Sequence, residues 1–277
     1  MIINEAEVAG HYEKTDLCSQ IVASLHLAGI EQPTPQDLSA VDEFHIGGID
    51  ATRFVSTALA PAASGKILDI GCGIGGPARF IAADTGCHVT GIDLTESFVE
   101  TGNHLSRLVG FEERVMLITG NALALPFADS EFDAAYMIHV GMNIADKDHL
   151  ISEAARVIKP GGQFIIYDVM QMRDATLPHP LPWAETEKTS AVSSPTIYLD
   201  ALARAGLIAK PPQNKRDFAL QFFDQMMKRG AGNQPPALGL HLVMGVTTPQ
   251  KIQNVHQQIK QGVLAPFIII ASRELAS

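Results

Sequence analysis

The residues best suited to chemistry cluster at one bend. Asp69-Ile70-Gly71-Cys72-Gly73-Ile74-Gly75-Gly76 follows an apolar run and precedes a helical pattern. Glycines there let the backbone turn sharply and let a ligand approach with no Cβ in between. The helix behind them offers unpaired N–H groups and the positive end of its dipole. Gly71, Gly73 and Gly76 also satisfy the spacing GxGxxG, and Asp93 follows about 20 residues on, where a dinucleotide site keeps an acid for the ribose. Asp69 points elsewhere. A carboxylate two residues before the first glycine suits a cationic ligand and opposes a diphosphate. An NAD-dependent oxidoreductase therefore stays as an alternative, and so does a loop that only shapes the sheet.

Other side chains with chemical capacity each carry a plainer reading beside the functional one. His139 follows an apolar run at the end where open α/β sheets bind ligands, or it packs behind the site. His45, beside Gly47-Gly48, is a second catalytic candidate, or a histidine satisfied within its loop. Tyr12 covers a ligand or packs as an ordinary aromatic. Asp168 meets an acceptor ammonium or caps a turn. Trp183, the sole tryptophan, offers a cation–π face or fills a lid. Arg53 meets a substrate carboxylate or is a solvated helix residue. Met137, Met142, Met170 and Met172 line an adaptable pocket or fill the core. Cys72 is not read as a nucleophile, because no basic partner is spaced to activate it.

The elements that must position these residues follow from periodicity. Lys66–Ile70, His88–Ile92, Arg114–Ile118, Phe132–Ile138 and Gln163–Val169 read as buried strands. Gly76–Thr85, Thr95–Val109 and Asp146–Ile158 read as the helices between them, the last with acids at its start and Lys159 at its end. Strands joined in this way predict a parallel, doubly wound sheet with right-handed crossovers. Leu207–Lys210 and Ala265–Ser272 add two more strands, and Thr196–Ala205, Phe218–Lys228 and Pro249–Gln261 read as helices. Apolar residues from Val8 to Leu27 recur at helical spacing, Pro33-Thr34-Pro35 reads as a turn, and Thr52–Leu59 as a short helix. Pro160-Gly161-Gly162 reads as a turn into the fifth strand. Met170–Pro195 is too long for an ordinary connection and is a candidate lid.

Composition narrows the class. The 277 residues carry a formal charge of −10 with no basic cluster, which argues against a nucleic-acid partner and against an acidic membrane surface. Three cysteines without CxxC spacing exclude a disulfide framework or zinc site as the expectation and fit a reducing, cytoplasmic setting. No apolar stretch approaches the ~20 residues of a membrane span.

Leu68-Asp69-Ile70-Gly71-Cys72-Gly73-Ile74-Gly75 resembles the first motif of class I S-adenosylmethionine-dependent methyltransferases. Gly91-Ile92-Asp93-Leu94, Gly120-Asn121-Ala122, Leu125-Pro126-Phe127 with Glu131-Phe132-Asp133, and Val157-Ile158-Lys159-Pro160-Gly161-Gly162 continue the likeness in the family's order. The resemblance implies an α/β, Rossmann-like seven-stranded methyltransferase sheet with helices on both faces. It further implies an N-terminal helical cap over 1–60, a methyltransferase domain over 61–277, and lid or substrate-side elements at 170–195 and 211–262.

Carried over position by position, the likeness makes S-adenosyl-L-methionine the cofactor. Asp69 and the Gly71, Cys72 and Gly73 backbone would hold its methionine end, Asp93 its ribose hydroxyls, Leu94 the adenine face, and Asn121 with Ala122 the adenine edge. Many relatives have Asp where this chain has Asn121, which keeps an acceptor oxygen and loses the charge. Ile138 and His139 would lie near the methyl group. Asp42-Glu43-Phe44-His45-Ile46-Gly47-Gly48, His11-Tyr12 and His139-Val140-Gly141-Met142-Asn143-Ile144 resemble the sarcosine/dimethylglycine N-methyltransferase group. That likeness implies a small-molecule acceptor, an amine such as sarcosine or dimethylglycine, with no metal. O- or C-methylation of a quinone or other secondary metabolite is the alternative, and a cofactor-binding protein without turnover is the non-enzyme reading. A homodimer is left open. A greasy pocket under the lid would favour the quinone class; aromatic faces and an arginine would favour glycine derivatives.

Overall fold

Apolar runs that end in glycine become the central strands, as burial on both faces of a parallel sheet requires. The computed structural model describes residues 3–13, 16–229 and 237–275. In chain order it contains α1 (Glu5–Tyr12), α2 (Leu17–Leu27), α3 (Pro35–Asp42), α4 (Gly48–Leu59), β1 (Lys66–Ile70), α5 (Gly76–Thr85), β2 (His88–Asp93), α6 (Glu96–Leu108), β3 (Val115–Thr119) and β4 (Phe132–Ile138). Then follow α7 (Lys147–Val157), β5 (Ile158–Gln171), α8 (Pro195–Arg204), β6 (Leu207–Ala209), β7 (Gln213–Asn214), α9 (Arg216–Arg229), α10 (His241–Met244), α11 (Thr248–Lys260) and β8 (Leu264–Arg273).

The sheet order is β3-β2-β1-β4-β5-β8-β6, with β7 pairing further along β8. β6 and β7 thus share one edge of β8, so the eight strands occupy seven lanes of a Rossmann-like sheet. β1 to β5 are mutually parallel, and β8 runs antiparallel to β5. Leu264 pairs with Gln171 at the carboxyl end of β5. The chain therefore enters β8 from the ligand end of the sheet and must run backwards. One face of the sheet packs on Leu150 and Ile151 of α7 and Tyr198 and Leu202 of α8. The other packs on Ala51 and Val55 of α4 and Ala78 and Ile81 of α5. Each Val, Leu or Ile among them, once withdrawn from water, contributes roughly 1.5–3 kcal/mol.

Three local expectations change. The helical stretch from Val8 to Leu27 divides into α1 and α2, with Asp16 left-handed at φ 61, a conformation that ends helical geometry for an L-residue. Thr34 and Pro35, expected as part of a turn, instead start α3. Thr34 accepts at its side chain while its own N–H donates to Asp37 Oδ2 at 2.8 Å, a reciprocal cap with proline in the first turn. Pro160-Gly161-Gly162 forms a bulge inside β5: Phe132 faces Ile158, and two residues on Ala134 faces Gln163. Among the described residues no helix is long and apolar enough to cross a membrane.

Asp168, on β5, is fully buried and receives the Tyr198 hydroxyl at 2.6 Å. Burial pushes its carboxyl up to about 7, opposed by that hydroxyl and by the charge of Lys147. Lys147 lies over the Tyr198 ring and donates to the carbonyls of Ile144 and Ala191. This polar knot ties α7, α8 and the segment after β5 together. Tyr198→Phe strands the carboxyl, so an unfolding free energy lower by about 1–3 kcal/mol is expected in urea denaturation; an unchanged midpoint would remove the tie.

Candidate active site

The strand order reverses between the parallel β1 and β4, and a ligand crevice opens at the carboxyl ends of strands there. A cavity of about 550 Å³ occupies this position, within the range of small-molecule sites. Asp69, Gly71, Cys72 and Gly73 line it from β1, Asp93 and Leu94 from β2, Asn121 and Ala122 from the segment after β3, and Ile138 and His139 from β4. Tyr12 and His45 close it from the N-terminal helices. Two expected residues lie elsewhere. Asp168 lines no part of the cavity and belongs to the buried knot. Trp183 is 2% exposed, donates its Nε1–H to Ser190 Oγ at 3.0 Å, and packs with Leu181, Phe223 and Val255, so it stands outside this cavity, on a smaller compartment beside it.

The bend after β1 is held by backbone donors. Gly71 and Cys72 N–H groups both reach Ile92 O, at 2.8 and 3.0 Å. Asp93 receives Gly73 N–H at 2.8 Å on one oxygen and Thr95 N–H at 2.9 Å on the other. Gly71 needs to be glycine twice over: its φ is +73, and a Cβ would stand 2.4 Å from Val140. Arg79, on α5, braces the outer side, donating to Ile74 O at 2.6 Å, Gly102 O at 3.0 Å and Asp42 Oδ1 at 3.0 Å.

Electrostatics concentrate on buried acids. Asp69 is 2% exposed, and its Oδ2 has no hydrogen-bond partner among the described residues. Burial pushes its carboxyl up to about 7, with the Tyr136 hydroxyl opposing and the Asp93 charge adding. Burial also raises Asp93, against the pull of the Thr95 and Gly73 amides. Glu43 is pushed up to about 8 by burial, with the Thr52 hydroxyl opposing. Thr52 Oγ1 donates to Glu43 Oε2 at 2.6 Å and lies 3.2 Å from His45 Nε2.

His139 has φ 56, a strained left-handed conformation for a histidine and a pointer toward function. Its ring stacks on Tyr167 at 5.4 Å and meets the His45 ring edge-on at 5.9 Å. Its Nε2 is buried without a hydrogen-bond partner among the described residues. Burial drives its pKa well below the ordinary imidazole range, and that of His45 down to about 4. Both rings are therefore neutral at physiological pH.

Two covers close the crevice. From α1, Glu5 receives both bonds of the Asn121 amide at 3.0 Å, while Asn121 Oδ1 accepts Leu123 N–H at 2.8 Å. Asn143, in the short turn after β4, is where both covers meet. Its Oδ1 accepts the Tyr12 hydroxyl at 3.0 Å, and its Nδ2 donates to Trp183 O at 2.7 Å and Thr189 O at 2.9 Å. Asn143, Glu43 and Arg79 are the residues that site reasoning from sequence passed over. Asn143 stood within an otherwise apolar stretch, which was the available signal. Arg53 is paired with Asp50 at 2.6 Å on the surface, away from the cavity. Met137, Met142 and Met170 are core residues and Met172 is 45% exposed, so the methionine pocket is not built from them.

Comparison with known proteins agrees with this arrangement. Residues 68–166 match the family described as a methyltransferase domain. Methyltransferase GfsG of Streptomyces halstedii is 30% identical over 164 residues, 59% of this chain and 58% of that protein. Sterol 24-C-methyltransferase of Yarrowia lipolytica is 41% identical over 103 residues, 37% of this chain and 27% of that protein. The chain thus spans under two thirds of the length of either relative. A geranyl diphosphate methyltransferase, solved with geranyl diphosphate and sinefungin, superimposes with a TM-score of 0.70 at 19% identity, covering 97% of this chain and 98% of that one. That likeness establishes the fold.

Because one amide joins both covers, Asn143→Ala is expected to free them together. Hydrogen exchange should quicken over 5–12 and 182–191 and stay slow in β1 and β4; protection that is unchanged in either cover would refute the joint.

Proposed function

We propose that this chain, whose centre carries a methyltransferase domain, transfers a methyl group from S-adenosylmethionine to an uncharged small-molecule acceptor. The observation that carries this reading is the unpartnered, buried Asp69 oxygen beside a bare backbone bend. An ammonium answers such a carboxyl, whereas a diphosphate is repelled by it, which weighs against the NAD alternative. Asp69 and the Gly71, Cys72 and Gly73 backbone would hold the methionine end. Asp93 keeps lone pairs beyond the two amides it accepts and would take the ribose hydroxyls. Leu94 and Ala122 would pack about the adenine, with Asn121 at its edge, and Ile138 would border the methyl group. When bound, the cofactor supplies an electrophilic methyl on a sulfonium.

What the protein adds is alignment and the exclusion of water, worth ~7–11 kcal/mol in favourable cases. His139 is the proton acceptor for a hydroxyl nucleophile. A neutral, weakly basic imidazole suffices, because the oxygen becomes strongly acidic as its new bond forms. His45 positions that ring edge-on, backed by Thr52 and Glu43. For the acceptor, the decisive feature is charge: among the described residues no Lys or Arg lines the cavity, while Glu5, Asp42, Asp69, Asp93 and Asp146 do. A sarcosine or dimethylglycine carboxylate would find no partner. O- or C-methylation of a quinone-like or other secondary metabolite is the favoured class.

Three outcomes test the reading. Asp69 must give up its proton to receive an ammonium, so cofactor Kd should rise by up to about tenfold per unit as pH falls below about 7, and level off above. Asp69→Asn should bind weakly with that part of the pH dependence gone; calorimetry decides. Asp93→Ala should raise the cofactor Kd at least about tenfold, since charged hydrogen bonds contribute ~1.5–3 kcal/mol each. His139→Ala should cut turnover by about 100-fold at unchanged cofactor Kd. S-adenosylhomocysteine release across phenols, quinols, sarcosine and dimethylglycine measures the last. Tight cofactor binding with no product from any of these would leave a binding protein instead.

A further inference from the structure

Behind the His45–His139 pair lies a second, smaller compartment of about 20 Å³ that shares Phe44, His45 and His139 with the main cavity. Its remaining walls are largely apolar, and include Trp183 from the lid, Phe222 and Met226 from α9, Met244 from α10, and Val255 from α11. The only titratable side chains on it are the two histidines, and among the described residues no Lys or Arg lines it. We propose that this compartment is the subsite for the hydrocarbon part of the acceptor, so that the molecule methylated carries its reactive hydroxyl or enol on an aliphatic or isoprenoid chain.

The inference rests on the methyltransferase reading above and deepens it. The glycine bend, Asp93 and Asn121 account for the cofactor side of the main cavity. The histidine wall is where a nucleophile would stand, and the compartment that shares this wall is greasy. Apart from the two imidazoles and the Trp183 indole, itself bonded to Ser190, the lining is hydrocarbon, and such a wall favours an apolar occupant over water. The compartment is too small for a chain as it stands, and its walls supply the adjustment. Met226 is only half-buried, and both it and Met244 are unbranched, so they can turn aside without moving a helix. On this reading the polar end of the acceptor would lie beside the His139 ring, whose Nε2 has no hydrogen-bond partner among the described residues.

The test uses the whole chain saturated with S-adenosylhomocysteine and a series of 4-alkylphenols, methyl to hexyl, titrated by calorimetry. Kd should fall about three- to fourfold per added methylene, the gain of burying each in an apolar site. Val255→Trp, which fills the compartment, should flatten that slope while the S-adenosylhomocysteine Kd stays as in the parent. Met226→Ala, which enlarges it without adding bulk, should tighten the hexyl compound more than the methyl one; it serves as the second variant where the tryptophan protein does not fold. A Kd independent of chain length, no binding by any alkylphenol, or a slope that survives Val255→Trp and is unmoved by Met226→Ala each overturns the subsite while leaving methyl transfer intact. Failure of the parent protein to bind S-adenosylhomocysteine overturns the underlying reading, and the subsite with it.

Discussion

The carboxylate of Asp93 accepts the amides of Gly73 and Thr95, one on each oxygen, and so staples the end of β2 to the bend that leaves β1. Both strand ends lie at the carboxyl edge of the sheet, next to the switch in strand order between β1 and β4, and the bend itself has no side chain bulk at Gly71 or Gly73 to hold it in place. Without that staple the loop would keep the Ile92 carbonyl on one side, Arg79 on the other and its own Gly75 N–H to Cys72 O bond. A negative group is a costly choice for a buried staple, since burial pushes its proton affinity up. Backbone amides offset part of that cost and leave lone pairs on the cavity side. The same atoms that set the loop's shape therefore also define what can bind there.

Around this staple the protein gathers acids with few cations to match. Asp42 has Arg79, yet burial still raises its carboxyl to about 6. Glu43 and Asp69 have no cation in contact among the ion pairs of the described residues other than the neutral His45 beside Glu43. Such a cluster is unfavourable in isolation, because buried carboxyls either keep their protons or lose solvation. It becomes favourable when a cationic ligand arrives. The two histidines at the far wall answer the opposite need: burial keeps them neutral, so that they add no charge to an otherwise apolar surface. Polarity thus falls from the glycine bend toward α9, α10 and α11, and the two ends of the crevice suit different molecules.

Closure depends on hydrogen bonds that come from far apart in the chain. Asn143 satisfies its whole amide with Tyr12, Trp183 and Thr189, and Asn121 meets Glu5 across more than a hundred residues. Each bond is modest in itself, about 0.5–1.5 kcal/mol net. One side chain thus serves both covers and ties them together over the crevice.

Much of this was legible in the chain alone. Strands buried on both faces must be continuous apolar runs, and turns that need positive φ must be glycine, so β1 to β5 and the bend after β1 are written locally. Asp69, Asp93 and His139 could be singled out because each closes a predicted strand at the end where ligands bind. What only the tertiary structure decided are the properties that arise between distant segments. Asp168 and Trp183 have chemically capable side chains, yet the bond to Tyr198 withdraws Asp168 from the crevice altogether, and lid packing sets Trp183 on the smaller compartment beside it. α3 was hidden because its first turn uses residues that equally well make a loop, and it is α3 that delivers Asp42 and leads into Glu43 and His45. The antiparallel entry of β8, a cavity lined by no Lys or Arg among the described residues, and the apolar compartment behind the histidines have no local signature. Each depends on which side chains meet in space, and periodicity along one chain carries no information about the neighbour that a side chain will face.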